Sequence, residues 1–161
     1  MKVLDIDFSQ YASALKIKTS DKQRMIFDPV RRKYLVLSPE EFVRQLLIHF
    51  LIHDLHYNPN RISIERQLLV NGRTRRYDIL IYDPALQPFL LIECKAPDVP
   101  LSQDTFDQIA RYNMPLQVPY LLVSNGRHNL CCQIHYEQSD YEYLDQLPDY
   151  PEEAAKKGPA V

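Results

Sequence analysis

Tryptophan is absent from these 161 residues, and glycine occurs only three times, at Gly72, Gly126 and Gly158. No GxxxxGK[ST] loop is present to cradle phosphates, so ATP use is not expected. No apolar run approaches the ~20 residues needed to span a bilayer, so no membrane partner is expected either. The opening MKVLDIDFSQ lacks the charged-then-apolar order of a secretion signal. Cysteine is scarce and odd in number: of the three, Cys131 and Cys132 are adjacent. That argues against a disulfide framework and for a reducing compartment, so a cytoplasmic protein is expected. Neither a Ser-His-Asp order nor a Gly-x-Ser-x-Gly elbow occurs, which leaves acyl chemistry without support.

Strong charge of one sign is also missing. The net charge is -2, so the chain carries no global basic field. Its distribution is uneven. Residues 61–76 hold Arg61, Arg66, Arg73, Arg75 and Arg76 against Glu65 alone, whereas 137–153 hold seven acidic residues and no Lys or Arg. The first region suits phosphate and the second would repel it. The plainer alternative is two solvated surfaces. Hydrophobic residues at 45% and charged residues at 25% are ordinary globular values. The length fits one domain, residues 1–147, with a Pro-rich, charged tail at 148–161 expected to fray.

RMIFD (24–28) and KYLVL (33–37) read as two strands about a turn at Pro29. Residues 1–23 give no clear pattern. Ser38-Pro39-Glu40-Glu41 announces a helix predicted to run to about His56, with Val43, Leu46, Leu47, Phe50 and Leu51 on one stripe. Segments 62–70 and 75–82 read as strands joined at Asn71-Gly72. FLLIECK (89–95) reads as a strand buried on both faces, 103–113 as a helix, and 119–124 as another buried strand. Asn125-Gly126 then starts a hairpin into a strand at 128–136. The sum predicts an α/β fold, a central mixed sheet flanked by helices.

Ionised groups avoid sheet interiors unless paired or bound to metal. Glu93 and Lys95 nonetheless end an apolar run and, two apart, share a face of it, while Cys94 faces the other way. Asp78 interrupts the preceding apolar strand, so a hairpin would set it beside Glu93. Two carboxylates so placed repel unless a cation lies between them, and Mg²⁺ favours such oxygen ligands.

Asp78, fourteen intervening residues and then Glu93-Cys94-Lys95 resembles the PD-(D/E)xK nuclease motif. The wider text SPEEFVRQLLIHFLI, RRYDILIYD and PFLLIECKAP resembles the N-terminal nuclease domain of type I restriction enzyme R subunits over roughly residues 30–135. The resemblance implies a restriction-endonuclease-like fold and Mg²⁺- or Mn²⁺-dependent phosphodiester cleavage of nucleic acid, DNA favoured. It implies that Asp78 and Glu93 hold the metal with the backbone carbonyl of Cys94, and that Lys95 acts on the attacking water. Gln108 and Tyr112 resemble a QxxxY element of related nucleases, and Glu41 the acidic residue some members carry on the first helix. Glu65 is a further candidate, close in sequence to the site strand, and Arg73, Arg75 and Arg76 are expected on the nucleic-acid backbone. Two departures accompany the match. Tyr77 stands where the motif has Pro, and the R subunit's ATP-driven motor has no counterpart here.

Each candidate has a plainer reading. Asp78, Glu93 and Lys95 could form a sheet-end ion pair, Glu41 could complete a capping box with Ser38, and Gln108 and Tyr112 could be a helix surface pair. His49, His53 and His56 lack the further ligands of a zinc site and read as a helix face. Two rivals to a nuclease stand: a non-cleaving nucleic-acid-binding or assembly module, and a purely structural domain. A homodimer is compatible with each.

Overall fold

A computed structural model describes residues 1–152. Strands β1 (Ile17–Ser20), β2 (Gln23–Asp28) and β3 (Lys33–Val36) form a three-stranded antiparallel sheet in that order. The IKTS strand was unreadable because none of its residues is buried, so it has no alternation to detect.

Helix α1 (Pro39–His53) starts where its sequence announces it: Ser38 Oγ accepts the backbone N–H of Glu41 at 3.0 Å. It stops three residues before His56, whose φ of 55° is left-handed. The cap contributes ~1 kcal/mol. Val43, Leu46, Leu47, Ile48 and Leu51 are buried, each worth ~1.5–3 kcal/mol, so packing outweighs capping in holding α1.

The segments predicted as single strands over 62–70 and 75–82 are each broken. Strands β4 (Ile62–Ile64) and β5 (Gln67–Val70) are separated by Glu65 and Arg66, and β6 (Arg73–Arg76) and β7 (Ile79–Tyr82) by Tyr77 and Asp78. Glu65 has a left-handed φ of 47°, which turns the chain out of register. Two backbone bonds carry the hairpin across the break, Glu65 N–H to Asp78 O at 2.9 Å and Tyr77 N–H to Arg66 O at 3.3 Å. The outer half, β5–β6, leaves the main sheet and turns at Asn71-Gly72, both with positive φ.

Strand β8 (Pro88–Cys94) pairs antiparallel with β7 and parallel with β9 (Tyr120–Ser124), with helix α2 (Gln103–Asn113) between them in sequence. Strands β10 (Asn129–His135) and β11 (Asp140–Tyr143) extend the sheet to the order β11-β10-β9-β8-β7-β4. This is the expected mixed α/β sheet. Strand β11 lies in the acidic stretch, where its charges hid it.

Alternate residues of the buried strands feed two cores. Ile79, Ile81, Leu90, Ile92 and Cys131 join α1 on one face. Leu80, Leu91, Leu121, Val123 and Cys132 join Phe106 and Ala110 of α2 on the other. The three cysteines are buried and unpaired, as expected of core thiols. The tail expected to fray from Pro148 is docked as far as Tyr150. Tyr57 donates to the carbonyl of Pro148, and the Tyr150 ring lies 5.2 Å from that of Tyr57. The rest of that prediction, residues 153–161, lies outside the described residues. Among the described residues no helix is long and apolar enough to cross a membrane.

Candidate active site

The register Ile79↔Ile92 sets Asp78 opposite Glu93 at the mouth of β7 and β8. The bend at Glu65 exposes this pair by peeling β5–β6 away. Asp78 Oδ2 accepts the backbone N–H of Cys94 at 2.7 Å, so Asp78 is fixed to the site strand itself. Burial first, and then the charge of Asp78 and a hydrogen bond to it, push the Glu93 carboxyl up to about 8. Lys95 works in the opposite direction on Glu93, and also on Glu40, which places its charge within reach of both. Burial and the Asp78 charge raise the Glu40 pKa as well. Glu40, Glu41, Arg44, Asp78 and Glu93 line one pocket of about 420 Å³.

Behind the pair lies an ion network absent from the sequence reading. Arg44 is 3% exposed and bonds Asp78 Oδ1 at 3.0 Å, Glu65 Oε1 at 3.2 Å and Glu41. Burial alone would depress its pKa, but these carboxylates hold it above the ordinary arginine value. Arg31 grips Asp28 Oδ2 at 2.7 Å, Glu65 Oε2 at 2.8 Å and Glu41 Oε1 at 2.9 Å. Gln45 Nε2 donates to Asp28 and Glu41, each at 3.0 Å. Burial would raise the Glu65 pKa, but Arg44, Arg31 and Arg76 outweigh it and lower it. No short motif encodes this network. Its only trace in the sequence is Arg44 and Gln45 at positions of α1 that turn out to be buried.

The accessory candidates are placed as follows. Glu41 completes only half of a capping box: Ser38 N–H bonds Val36 O, while the Glu41 carboxylate is buried among Arg31, Arg44 and Gln45. Gln108 and Tyr112 both project from α2 as exposed side chains, Tyr112 at 49%. The α2 residue that meets Glu93 is Asn113, one position beyond the motif. Its Nδ2 lies 3.4 Å from Glu93 Oε1 and is anchored on Ile109 O at 2.9 Å. Tyr112 instead carries Arg75, whose guanidinium carbon sits 4.3 Å over its ring. Arg76 pairs with Glu65 at 2.8 Å, and Arg73 is exposed at the hairpin turn. Among the described residues no ion pair joins these arginines to the acidic stretch.

The donor set suits a hard divalent cation. It is two neighbouring acidic groups, one holding its proton because it is buried beside the charge of Asp78, with a buried Asn113 Oδ1 that has no hydrogen-bond partner among the described residues. Among those residues, however, no group of three or more His, Cys, Asp or Glu side chains is arranged to hold a metal ion. Backbone oxygen, water or substrate would complete the coordination. His49 and His53 stack at 5.5 Å on the far side of α1, beside Tyr11, as a helix face.

A mixed sheet with a helix on each face and an acidic pair beside a lysine at one strand end defines an α/β domain built around a polar cleft. The chain belongs to the family described as the type I restriction enzyme R protein N terminus, whose model matches residues 39–148. No curated protein matches it. Among solved structures, a fragment described as an HsdR subunit of a type I restriction enzyme from Vibrio vulnificus YJ016 is 18% identical, with a TM-score of 0.46 over 70% of this chain. The match covers 24% of that protein, so the chain spans about a quarter of its length.

Proposed function

We propose that this chain is a divalent-metal-dependent nuclease acting on phosphodiester bonds of DNA. The observation that carries the reading is the meeting of Asp78 and Glu93 across β7 and β8 in one polar pocket. Family membership supports it. Asp78, Glu93 and the carbonyl of Cys94 would hold Mg²⁺ or Mn²⁺. When bound, such an ion lowers the pKa of a coordinated water and draws charge from the scissile phosphate.

The chain's own groups prepare that site. Arg44 and the Cys94 N–H fix both oxygens of Asp78. Asn113 orients Glu93, and the Lys95 ammonium offsets negative charge developing on the phosphate and orients the attacking water. Glu41 and Glu65 act through Arg44 as positioning groups. Arg73, Arg75 and Arg76 hold the DNA backbone without reading bases. ATP plays no part in this reading, and the natural setting is cytoplasmic.

A second reading has an observation of its own. Arg44 already satisfies Asp78, as it would in a domain that binds nucleic acid without cutting it. Incubation with plasmid and single-stranded DNA in Mg²⁺, Mn²⁺ or EDTA separates the two. Cleavage in either metal that Lys95→Ala abolishes supports the nuclease. Intact DNA bound equally under all three conditions supports the module.

A further inference from the structure

The residues ahead of the family match carry the chain's strongest positive charge. Residues 16–34 contain seven Lys or Arg against Asp21 and Asp28, a net +5 in a chain of -2. Asp28 and Arg31 pair with each other and cancel, which leaves the +5 on the six other Lys and Arg against Asp21. Side-chain alternation divides the β1-β2-β3 sheet. Ile26 and Asp28 face inward, fully buried. The register Phe27↔Tyr34 and Met25↔Val36 puts these four on the opposite face, with Lys18 across from Met25.

That outer face is aromatic and basic together. The Phe27 and Tyr34 rings meet edge to face at 5.2 Å. Lys18 Nζ lies 3.9 Å from the Tyr34 ring centroid and Lys16 Nζ 5.5 Å from that of Phe27. Tyr34 and Val36 are exposed at 37% and 54%. A buried aromatic pair would indicate core packing, and a bare lysine cluster a solvated edge. Partly exposed rings bordered by lysines match what a flexible polyanion with flat bases requires.

We infer that the outward face of β1-β2-β3 binds single-stranded DNA, with bases stacked on Tyr34 and Phe27 and phosphates on Lys16 and Lys18. A base on Tyr34 takes the place of the Lys18 ammonium, which moves to the adjoining phosphate. Duplex DNA hides its base faces, so the rings select the single strand. The choice of DNA over RNA rests on the nuclease reading above; the platform itself does not. Lys33, the residue before Tyr34, lines a cleft of about 1090 Å³ together with Glu65, Arg76 and Tyr77, and these last three also line the pocket of Asp78 and Glu93. Lys33 pairs with Asp28 on the inward face, so that cleft borders the sheet from the side opposite the platform.

The test is fluorescence anisotropy of labelled (dT)20, a 20-base-pair duplex and (rU)20 with the full chain in EDTA, where binding is read without cleavage. Tyr34→Ala should weaken (dT)20 binding about tenfold while Tyr34→Phe binds as wild type. Lys16→Gln with Lys18→Gln should flatten the log–log salt slope by about 1.4 for two lost single-strand contacts. Wild type should prefer (dT)20 to the duplex. Equal affinity of wild type and Tyr34→Ala, binding of (rU)20 with none of (dT)20, or Tyr34-dependent binding of phosphatidylserine vesicles in place of (dT)20 would each overturn the inference. Cleavage is assayed separately in Mg²⁺. Cleavage by a protein whose affinity ignores Tyr34 removes the platform alone, and Tyr34-dependent binding without cleavage removes the nuclease reading alone.

Discussion

Arg44 is the residue on which the site's electrostatics turn. Three carboxylates share it in a nearly water-free position, so its loss strands negative charge rather than merely breaking bonds. Arg44→Met should cost about 3–5 kcal/mol in urea unfolding. A loss under 1 kcal/mol would show that water enters the network freely. Glu93 gives a pH signature. The folded chain keeps its proton up to about pH 8, while an unfolded glutamic acid loses it near 4.5. Between those values the folded state binds more protons, so this contribution is complete below about pH 4.5 and is lost as pH rises toward 8. In EDTA, the stability of wild type relative to Glu93→Gln should therefore fall from pH 5 to 8. A flat difference in melting temperature would place Glu93 in an ordinary solvated setting.

At the scale of elements, two turn glycines with similar backbones make different predictions. Gly72 has φ +72° with open space around a would-be Cβ, so Gly72→Ala should cost only the left-handed penalty, ~1–2 kcal/mol. Gly126 has φ +81° and would place its Cβ 3.2 Å from Val43 Cγ2, inside the packing of α1. Gly126→Ala should be the more damaging by thermal denaturation, and the reverse order would mean that α1 yields easily. Both turns were readable as Asn-Gly pairs, and α1 as a capped apolar stripe. Strands β8 and β9 were legible because burial on both faces leaves near-continuous apolar text. The breaks at Glu65 and Asp78 were not, since a left-handed glutamate has no local marker and its cost is met by Arg31, Arg44 and Arg76 from other elements. Asp78 and Glu93 could be paired by taking their strands as a hairpin, but Asn113 and Arg44 could not. Each reaches the site only after a helix has docked.

For the molecule as a whole, the segment after β11 closes one end of the α1-side core. Tyr150 lies against Tyr57 and Phe89 and donates to Tyr82 O at 2.9 Å, joining the last described residues to β7 and β8. Tyr150→Ala should lower stability by about 1–3 kcal/mol in urea unfolding, and an unchanged midpoint would mean that the docked segment adds no stability. The other end is closed from the opposite direction. Leu4 bridges to Asn129, its N–H bonding Asn129 O at 2.7 Å, and Leu4 itself is buried. On a ribosome that pairing has to wait until β10 has emerged, more than a hundred residues after Leu4 was made. The parallel β8–β9 pairing must likewise wait for α2. The β5–β6 hairpin, α1 and the β7–β8 hairpin need only near neighbours, so they are free to form first, while Asn113 reaches Glu93 only once α2 has been made. A growing chain would thus carry its arginines and its lysine-rich sheet well before it carries a finished site.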